Sequence, residues 1–342
     1  MTKKYDVVIV GAGPAGLQAA KTLAENGKKV VVLEKNQKIV EKVCGGIMSI
    51  RALKFGVPDS VIEKKYSKMT LTTERTSKEL KQKDPFVFTV SRKNLNLWLK
   101  EEAEKVGAEI MMNCAAIEIN NNTVITSQDI YEYEYLIGAD GANSLVRKSC
   151  NLKTNEMIIA FHYRIQGNFN AIEFFMDPSR FNCFSYFWLI PHKGHASVGT
   201  GLDVGKSIKM EHLKSELHKW IKEKGLSLAN ATFESAPINY DYEGFEFGNK
   251  YLIGDAAGLT SGITGEGIYS AILSGNEVAK KISDSIYDMQ ELNKYIKTID
   301  YHEKTLRALQ LNNITAELFF ELLVNAIKSK KITDKFIEFF IT

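Results

Sequence analysis

A β-rich apolar run, Tyr5 to Val10, leads directly into Gly11-Ala-Gly13-Pro-Ala15-Gly16 and then into a helix expected from about Pro14 to Asn26. Gly11 permits the tight turn, Gly13 lets the backbone approach a diphosphate, and Gly16 lets helix and strand pack closely. Free N–H groups and the positive dipole end at the helix start complete an anion site. A second strand, Val30 to Leu33, ends at Glu34. A carboxylate there accepts hydrogen bonds from ribose hydroxyls and repels a 2′-phosphate. A bare glycine pattern is an ordinary turn; in this strand–turn–helix–strand–Glu setting it points to a dinucleotide, FAD or NAD.

The chain of 342 residues suggests about two domains. Its 44% hydrophobic and 25% charged residues are those of an ordinary globular protein, and a net charge of +3 from scattered lysines argues against a nucleic-acid partner. Cys44, Cys114, Cys150 and Cys183 form no C-x-x-C pair and no metal-spaced cluster, so reduced thiols and no metal are expected. The N-terminal apolar run is too short for a signal peptide, and no stretch of about 18 apolar residues suggests a spanning helix. A cytoplasmic location is the expectation.

The expected fold class is α/β, an α+β two-domain protein. Short strands are expected over 66–90, an amphipathic helix over Ser91 to Val106, and strands over 157–201, including CFSYFWLI at 183–190. Helices are expected over 207–224, from about Gly265 to Ile282, and through the remainder. The nucleotide features flank the β-rich middle. That order predicts a discontinuous Rossmann-type domain (1–65, 91–155 and 245–285) with an inserted antiparallel-sheet substrate domain (66–90 and 156–244). A C-terminal helical segment, 286–342, follows.

Two further motifs carry chemistry. In Tyr135-Leu-Ile-Gly138-Ala-Asp140-Gly141-Ala-Asn-Ser144-Leu-Val-Arg147 a strand ends in an Asp-Gly turn before a helix. In Tyr251-Leu-Ile-Gly254-Asp255-Ala-Ala-Gly258 a strand delivers Asp255 toward polyol hydroxyls. Gly262, Gly265, Glu266, Gly267 and Ile268 follow. A helix starting there would stabilise the negative charge of a reduced flavin.

These three motifs, in this order over residues 1 to 285, resemble the class of FAD-dependent hydroxylases, halogenases and reductases. The resemblance makes the expected two-domain fold that of a flavoprotein. It implies a cofactor site of Gly11, Gly13, Ala15 and Gly16 at the diphosphate and Glu34 with Lys35 at the adenosine ribose. It adds Arg92, Asp140, Gly254, Asp255, Gly265, Gly267 and Ile268 around the FAD. Within the class, Gly254 to Ile268 and on to Ser274-Gly275 resembles the geranylgeranyl reductase family, which reduces isoprenoid C=C bonds. That family's pattern has proline where Gly262 stands. Val43-Cys44-Gly45-Gly46 resembles its Cys-Gly loop beside the flavin, and Tyr186-Phe-Trp188-Leu-Ile-Pro191 its Tyr-x-Trp-x-Phe-Pro segment. The family often places lysine directly after that proline; here His192 precedes Lys193. His192 and His195 would face opposite sides of a regular strand, and neither is given a role.

The implied activity is hydride transfer from reduced flavin to an alkene plus a proton. Cys44 is the candidate proton donor, or it packs against the ring. Tyr186 and Trp188 are candidates to stabilise cationic character at carbon, by roughly 1–2 kcal/mol when desolvated. A flavin monooxygenase of an apolar substrate is the alternative; a halogenase would want tryptophan in place of Tyr186. A non-catalytic prenyl-binding protein and an electron-transfer flavoprotein are the remaining readings. Without a second G-x-G-x-x-G, the electron donor is open between a ferredoxin-like protein and NAD(P)H. The apolar stretch Ile314 to Ile327, with Lys328, Lys330 and Lys331 after it, reads as helices docked on the core, walling a lipid tunnel, or meeting a membrane surface.

Overall fold

The computed structural model describes residues 1–39, 43–205, 209–327 and 333–337. An eight-stranded sheet carries a parallel core in the order Lys250–Leu252, Ile130–Gly138, Thr2–Val10, Val30–Leu33 and Glu109–Met111. Val30–Leu33 and the end of Thr2–Val10 are buried at successive residues, so these strands are covered on both faces and read as continuous apolar runs. The helices α1 (Pro14–Glu25), α2 (Arg92–Lys105) and α3 (Leu145–Ser149) belong to this half. A three-stranded sheet of Ile47–Ser49, Val87–Val90 and Ile62–Tyr66 sits beside it.

The second large sheet has seven strands, in the order Thr232–Asn239, Met157–Gln166, His195–Asp203, Phe187–Pro191, Ile172–Phe175, Lys68–Thr72 and Ser77–Lys81. It is antiparallel except where Ile172–Phe175 meets Lys68–Thr72 in parallel. Those two strands come from separate excursions of the chain, so no tight turn forces them to run opposite ways. Helix α4 (Pro178–Phe181) precedes its central hairpin and α5 (Met210–Glu223) packs its Leu213, Leu217 and Trp220 on one face.

The expected strand over 183–190 is shorter than its composition suggested. Asp177 caps α4 by accepting from the Arg180 amide, Pro178 opens it, and Asn182 closes it in the left-handed region at φ 56°. The strand begins only at Phe187, so Tyr186 lies outside the ladder while Trp188 lies within it. His192 and His195 do not point to opposite faces. They flank a turn closed by the His192 amide on the His195 carbonyl, 2.7 Å, and their rings stack at 4.9 Å.

Helix α6 (Ile268–Ser283) packs against α1 with Gly275 against the α1 backbone. A Cβ on Gly275 would stand 2.3 Å from the Ala15 carbonyl oxygen. Helices α7 (Gln290–Leu309) and α8 (Asn313–Ala326) follow, and Phe320 and Val324 of α8 are buried against Tyr66, Met69, Leu71 and Ile172. The expected docking of the C-terminal helices on the core therefore holds for α8. Lys328, Lys330 and Lys331 lie outside the described residues.

Among the described residues, Arg147 is the largest fully buried side chain. Its guanidinium donates to the Lys153 carbonyl at 3.0 and 3.1 Å and meets Asp241 at 3.3 Å. Removing one member of a buried ion pair strands the other charge. Arg147→Met is expected to cost roughly 3–5 kcal/mol, read from the urea midpoint at unchanged slope.

Candidate functional site

One cavity of about 380 Å³ runs between the nucleotide half and the seven-stranded sheet. Its polar end is built by two helix starts. Helix α1 has Gly13 at its N-cap and α6 has Gly267, and neither end is capped by a side chain. Both line the cavity, so both sets of free N–H groups face the same space. A Cβ on Gly13 would meet nothing within 4 Å, which leaves the backbone open to a ligand. Gly11 and Gly16 work behind this surface: a Cβ on Gly16 would stand 2.1 Å from the Gly11 carbonyl oxygen.

Glu34 lines the cavity and braces the turn. Its carboxylate accepts the Ala12 amide at 2.9 Å and the Asn36 amide at 2.9 Å. Arg92, the first residue of α2, is buried against the cavity with its Nε unpartnered. One turn on, Asn96 is equally buried with an unpartnered Oδ1. Sequence reasoning missed Asn96, although its position four residues after Arg92 puts both on one face of α2. Two buried polar atoms without partners, on residues that line a cavity with two uncapped helix starts, fit a dinucleotide with a diphosphate and a polar ring.

At the far helix start, Gly254 and Asp255 line the cavity, and Asp255 accepts the Thr260 hydroxyl at 2.9 Å. Gly262 stands where a proline would collide, since even a Cβ would meet Leu306 and Tyr240 at 2.8 and 2.9 Å. Gly265, Gly267 and Ile268 line the cavity, with Gly265 at φ 65°. Cys44 and Gly45 line the opposite side, and the Cys44 sulfur accepts the Gly46 amide at 3.4 Å. Lys35 is exposed and outside the cavity. Asp140 is also outside it: its carboxylate accepts the Leu145 and Val146 amides and the Ser144 hydroxyl, capping α3.

Glu266 stands between Gly265 and Gly267 of the third motif. It lines the cavity between Tyr186 and Ser49, accepting the Ser49 amide at 3.2 Å. Removal from bulk water pushes its carboxyl up to about 7, against the pull of that amide and of Arg51. Tyr186 donates to the Thr264 carbonyl at 2.6 Å, and burial pushes its phenol up, so it stays neutral. Trp188 donates to Ser197 at 3.0 Å and lies 6.1 Å from the Tyr186 ring. Met69, Leu71, Phe174, Phe320, Leu323 and Phe336 are among the apolar residues that line the rest of the cavity. The C-terminal helices thus both dock on the core and wall the cavity.

Comparison with known proteins agrees with this geometry. Residues 4–297 match a family described as an FAD binding domain. A geranylgeranyl diphosphate reductase of Rhodobacter capsulatus is 31% identical, covering 81% of this chain and 74% of its own. A digeranylgeranylglycerophospholipid reductase of Methanocaldococcus jannaschii is 28% identical over 97% of this chain and 87% of its own. In fold, the chain matches a crystal structure of a geranylgeranyl bacteriochlorophyll reductase-like protein from Thermoplasma acidophilum. Their TM-score is 0.81 at 24% identity, over 98% and 96% of the two chains. The cofactor is FAD.

Arg92→Met should weaken FAD binding by about tenfold or more, the worth of a charged hydrogen bond, measured by fluorescence titration of the apoprotein. Glu266 sets a pH dependence. Its folded value lies above its ordinary 4.5, so its stabilising contribution is complete below that pH and is lost as pH rises through about 7. The apoprotein's Tm should fall from pH 5 to 8, and Glu266→Gln should flatten that slope.

Proposed function

We propose that this chain, which belongs to the FAD-binding family and within it to the geranylgeranyl reductases, saturates carbon–carbon double bonds of an isoprenoid chain. The observation that carries the reading is the continuity of one cavity from the two helix starts to an apolar, aromatic wall. That wall is mostly apolar, with Met69, Leu71, Phe174, Phe184, Phe320 and Phe336 among its residues and His162, Asp203 and Glu266 among its ionisable groups. In this reading residues 1–65, 91–155 and 245–285 form the flavin half. Residues 66–90 and 156–244 form the substrate half, and 286–342 close it.

Bound FAD, once reduced, supplies the hydride. The chain's own residues hold, dry and protonate. The apolar wall excludes water, which strengthens every electrostatic interaction inside. Tyr186 is fixed by its bond to the Thr264 carbonyl, and Phe174 meets its ring edge-on at 5.7 Å. Trp188 is fixed through Ser197. Their faces would stabilise positive charge developing at the alkene carbon by about 2 kcal/mol. The Cys44 thiol and the Glu266 carboxyl are the proton carriers at the wall. A low-potential protein donor reduces the flavin in this reading; reduction by NADPH but by no protein donor would reject that part.

The route in for a lipid is assigned to the outer side of α8. Ile314, Leu318 and Leu322 are 72%, 58% and 63% exposed at helical spacing, on the helix whose Phe320 and Leu323 wall the cavity. Such a stripe suits a peripheral lipid contact. No helix of the described residues is long and apolar enough to cross a membrane.

The test begins with flavin reduced in the absence of oxygen. On adding a geranylgeranyl substrate, the oxidised flavin band should return and the product should gain hydrogen mass. A flavin that stays reduced until air is admitted, and then yields an oxygenated product, would make the chain a monooxygenase instead.

A further inference from the structure

We propose that His192 is a positioning residue for the Cys44–Gly45–Gly46 loop: held as a doubly donating imidazolium by Glu63, it clamps the Gly45 carbonyl and with it the side of the cavity that Cys44 occupies.

Three excursions of the chain meet at this imidazole. His192 directly follows the strand Phe187–Pro191 of the seven-stranded sheet. Glu63 lies on Ile62–Tyr66 of the three-stranded sheet, and Gly45 lies in the loop that follows the second nucleotide strand. His192 Nδ1 stands 2.5 Å from Glu63 Oε2, and Nε2 stands 2.8 Å from the Gly45 carbonyl oxygen. The two side chains are 6% and 15% exposed. A carbonyl oxygen can only accept. An ionised carboxylate can only accept as well. Two acceptors at two ring nitrogens require two N–H groups, which only the imidazolium has.

The surroundings support the charge. Burial works against ionised Glu63, but the His192 bond and the nearby imidazoles outweigh it and hold the carboxyl below its ordinary range. The other groups facing this point are His195, stacked on His192, and Arg164 and His162 on the neighbouring strand Met157–Gln166. Burial first, and then the His192 charge, push His195 down, so the stacked partner stays neutral. Tyr66 donates to the Pro191 carbonyl at 3.0 Å, fixing the strand end that delivers the ring. Glu63 is the carboxylate that balances this group.

The loop is shaped to receive the ring. Gly46 has φ 68°, and a Cβ there would stand 2.5 Å from His192 Cε1. The Gly46 carbonyl accepts the Val90 amide at 2.9 Å, and its own amide donates to the Cys44 sulfur. Fixing the Gly45 carbonyl therefore fixes the peptide that holds the thiol. An ammonium at position 192 could also donate to both acceptors, whereas a carboxamide carries its donors on one atom and would set its own oxygen against an acceptor.

The test compares His192→Ala, His192→Gln and His192→Lys with the unaltered protein. The readouts are the rate of iodoacetamide alkylation at Cys44, located by peptide mapping, and the FAD dissociation constant. Neither needs an isoprenoid substrate, so they stand apart from the reductase reading. Alkylation should be about tenfold faster in His192→Ala, the factor that loss of a charge-assisted hydrogen bond corresponds to. FAD binding should weaken in parallel. His192→Gln should fall between, and His192→Lys should return to within about twofold of the unaltered protein, as the charge-donor argument requires. Glu63→Gln should resemble His192→Ala. If His192→Ala does not fold, the Gln and Lys pair decides. Equal rates in Gln and Lys, or unchanged alkylation in His192→Ala, would overturn the proposal.

Discussion

Helices α1 and α6 cross with backbone against backbone, and the rest of the site depends on that contact. Gly275 admits the Ala15 carbonyl at a distance no Cβ would allow. Because the axes lie so close, two uncapped helix starts open on one cavity. Each carries roughly half a positive charge. Two such ends facing one space favour an anionic ligand, and a ligand that binds only the folded chain stabilises it. FAD is thus coupled to the fold as well as to the chemistry.

Around that crossing the chain divides its labour by polarity. The parallel sheet brings Glu34 and the Gly254–Asp255 turn to the same edge, at the carboxyl ends of parallel strands, where α/β sheets bind their ligands. Arg147 ties α3 to Asp241 and so to the turn at Gly258, where a Cβ would stand 2.3 Å from the Asp241 carbonyl oxygen. The seven-stranded sheet contributes the aromatic wall, and α8 closes it with Phe320 stacked on Phe184 at 5.4 Å. The polar and apolar ends of the cavity come from different sheets, which lets each be dry or charged without compromise.

Much of this was legible beforehand. The glycine turn, Glu34, Asp255 and the helix starting at Ile268 were readable because their demands are local. A positive φ, an absent Cβ or a carboxylate at a strand end is written in one residue. The strand over 183–186 was misread because Cys183, Phe184 and Tyr186 are apolar; Asp177, Pro178 and Asn182 had already committed the preceding chain to a capped turn of helix. The short strands Ile47–Ser49 and Ile62–Tyr66 went unseen, since runs so brief give no clear period. For Lys35 and Asp140 the structure shows an exposed side chain and a carboxylate that caps α3, neither lining the cavity.

By itself, the sequence determined the nucleotide scaffold, the FAD class and the aromatic character of the cavity wall. Each rests on residue types at short spacing. Only the tertiary structure decided which side chains meet across the cavity. Arg92 and Asn96 are seen to be unpartnered only once α2 is docked. Glu266 acquires its raised carboxyl from a wall that folding assembles. His192 finds Glu63 and Gly45 at separations of 129 and 147 residues. No local propensity encodes such a meeting; it follows from how three excursions of the chain are stacked, and burial then makes each hydrogen bond strong enough to matter.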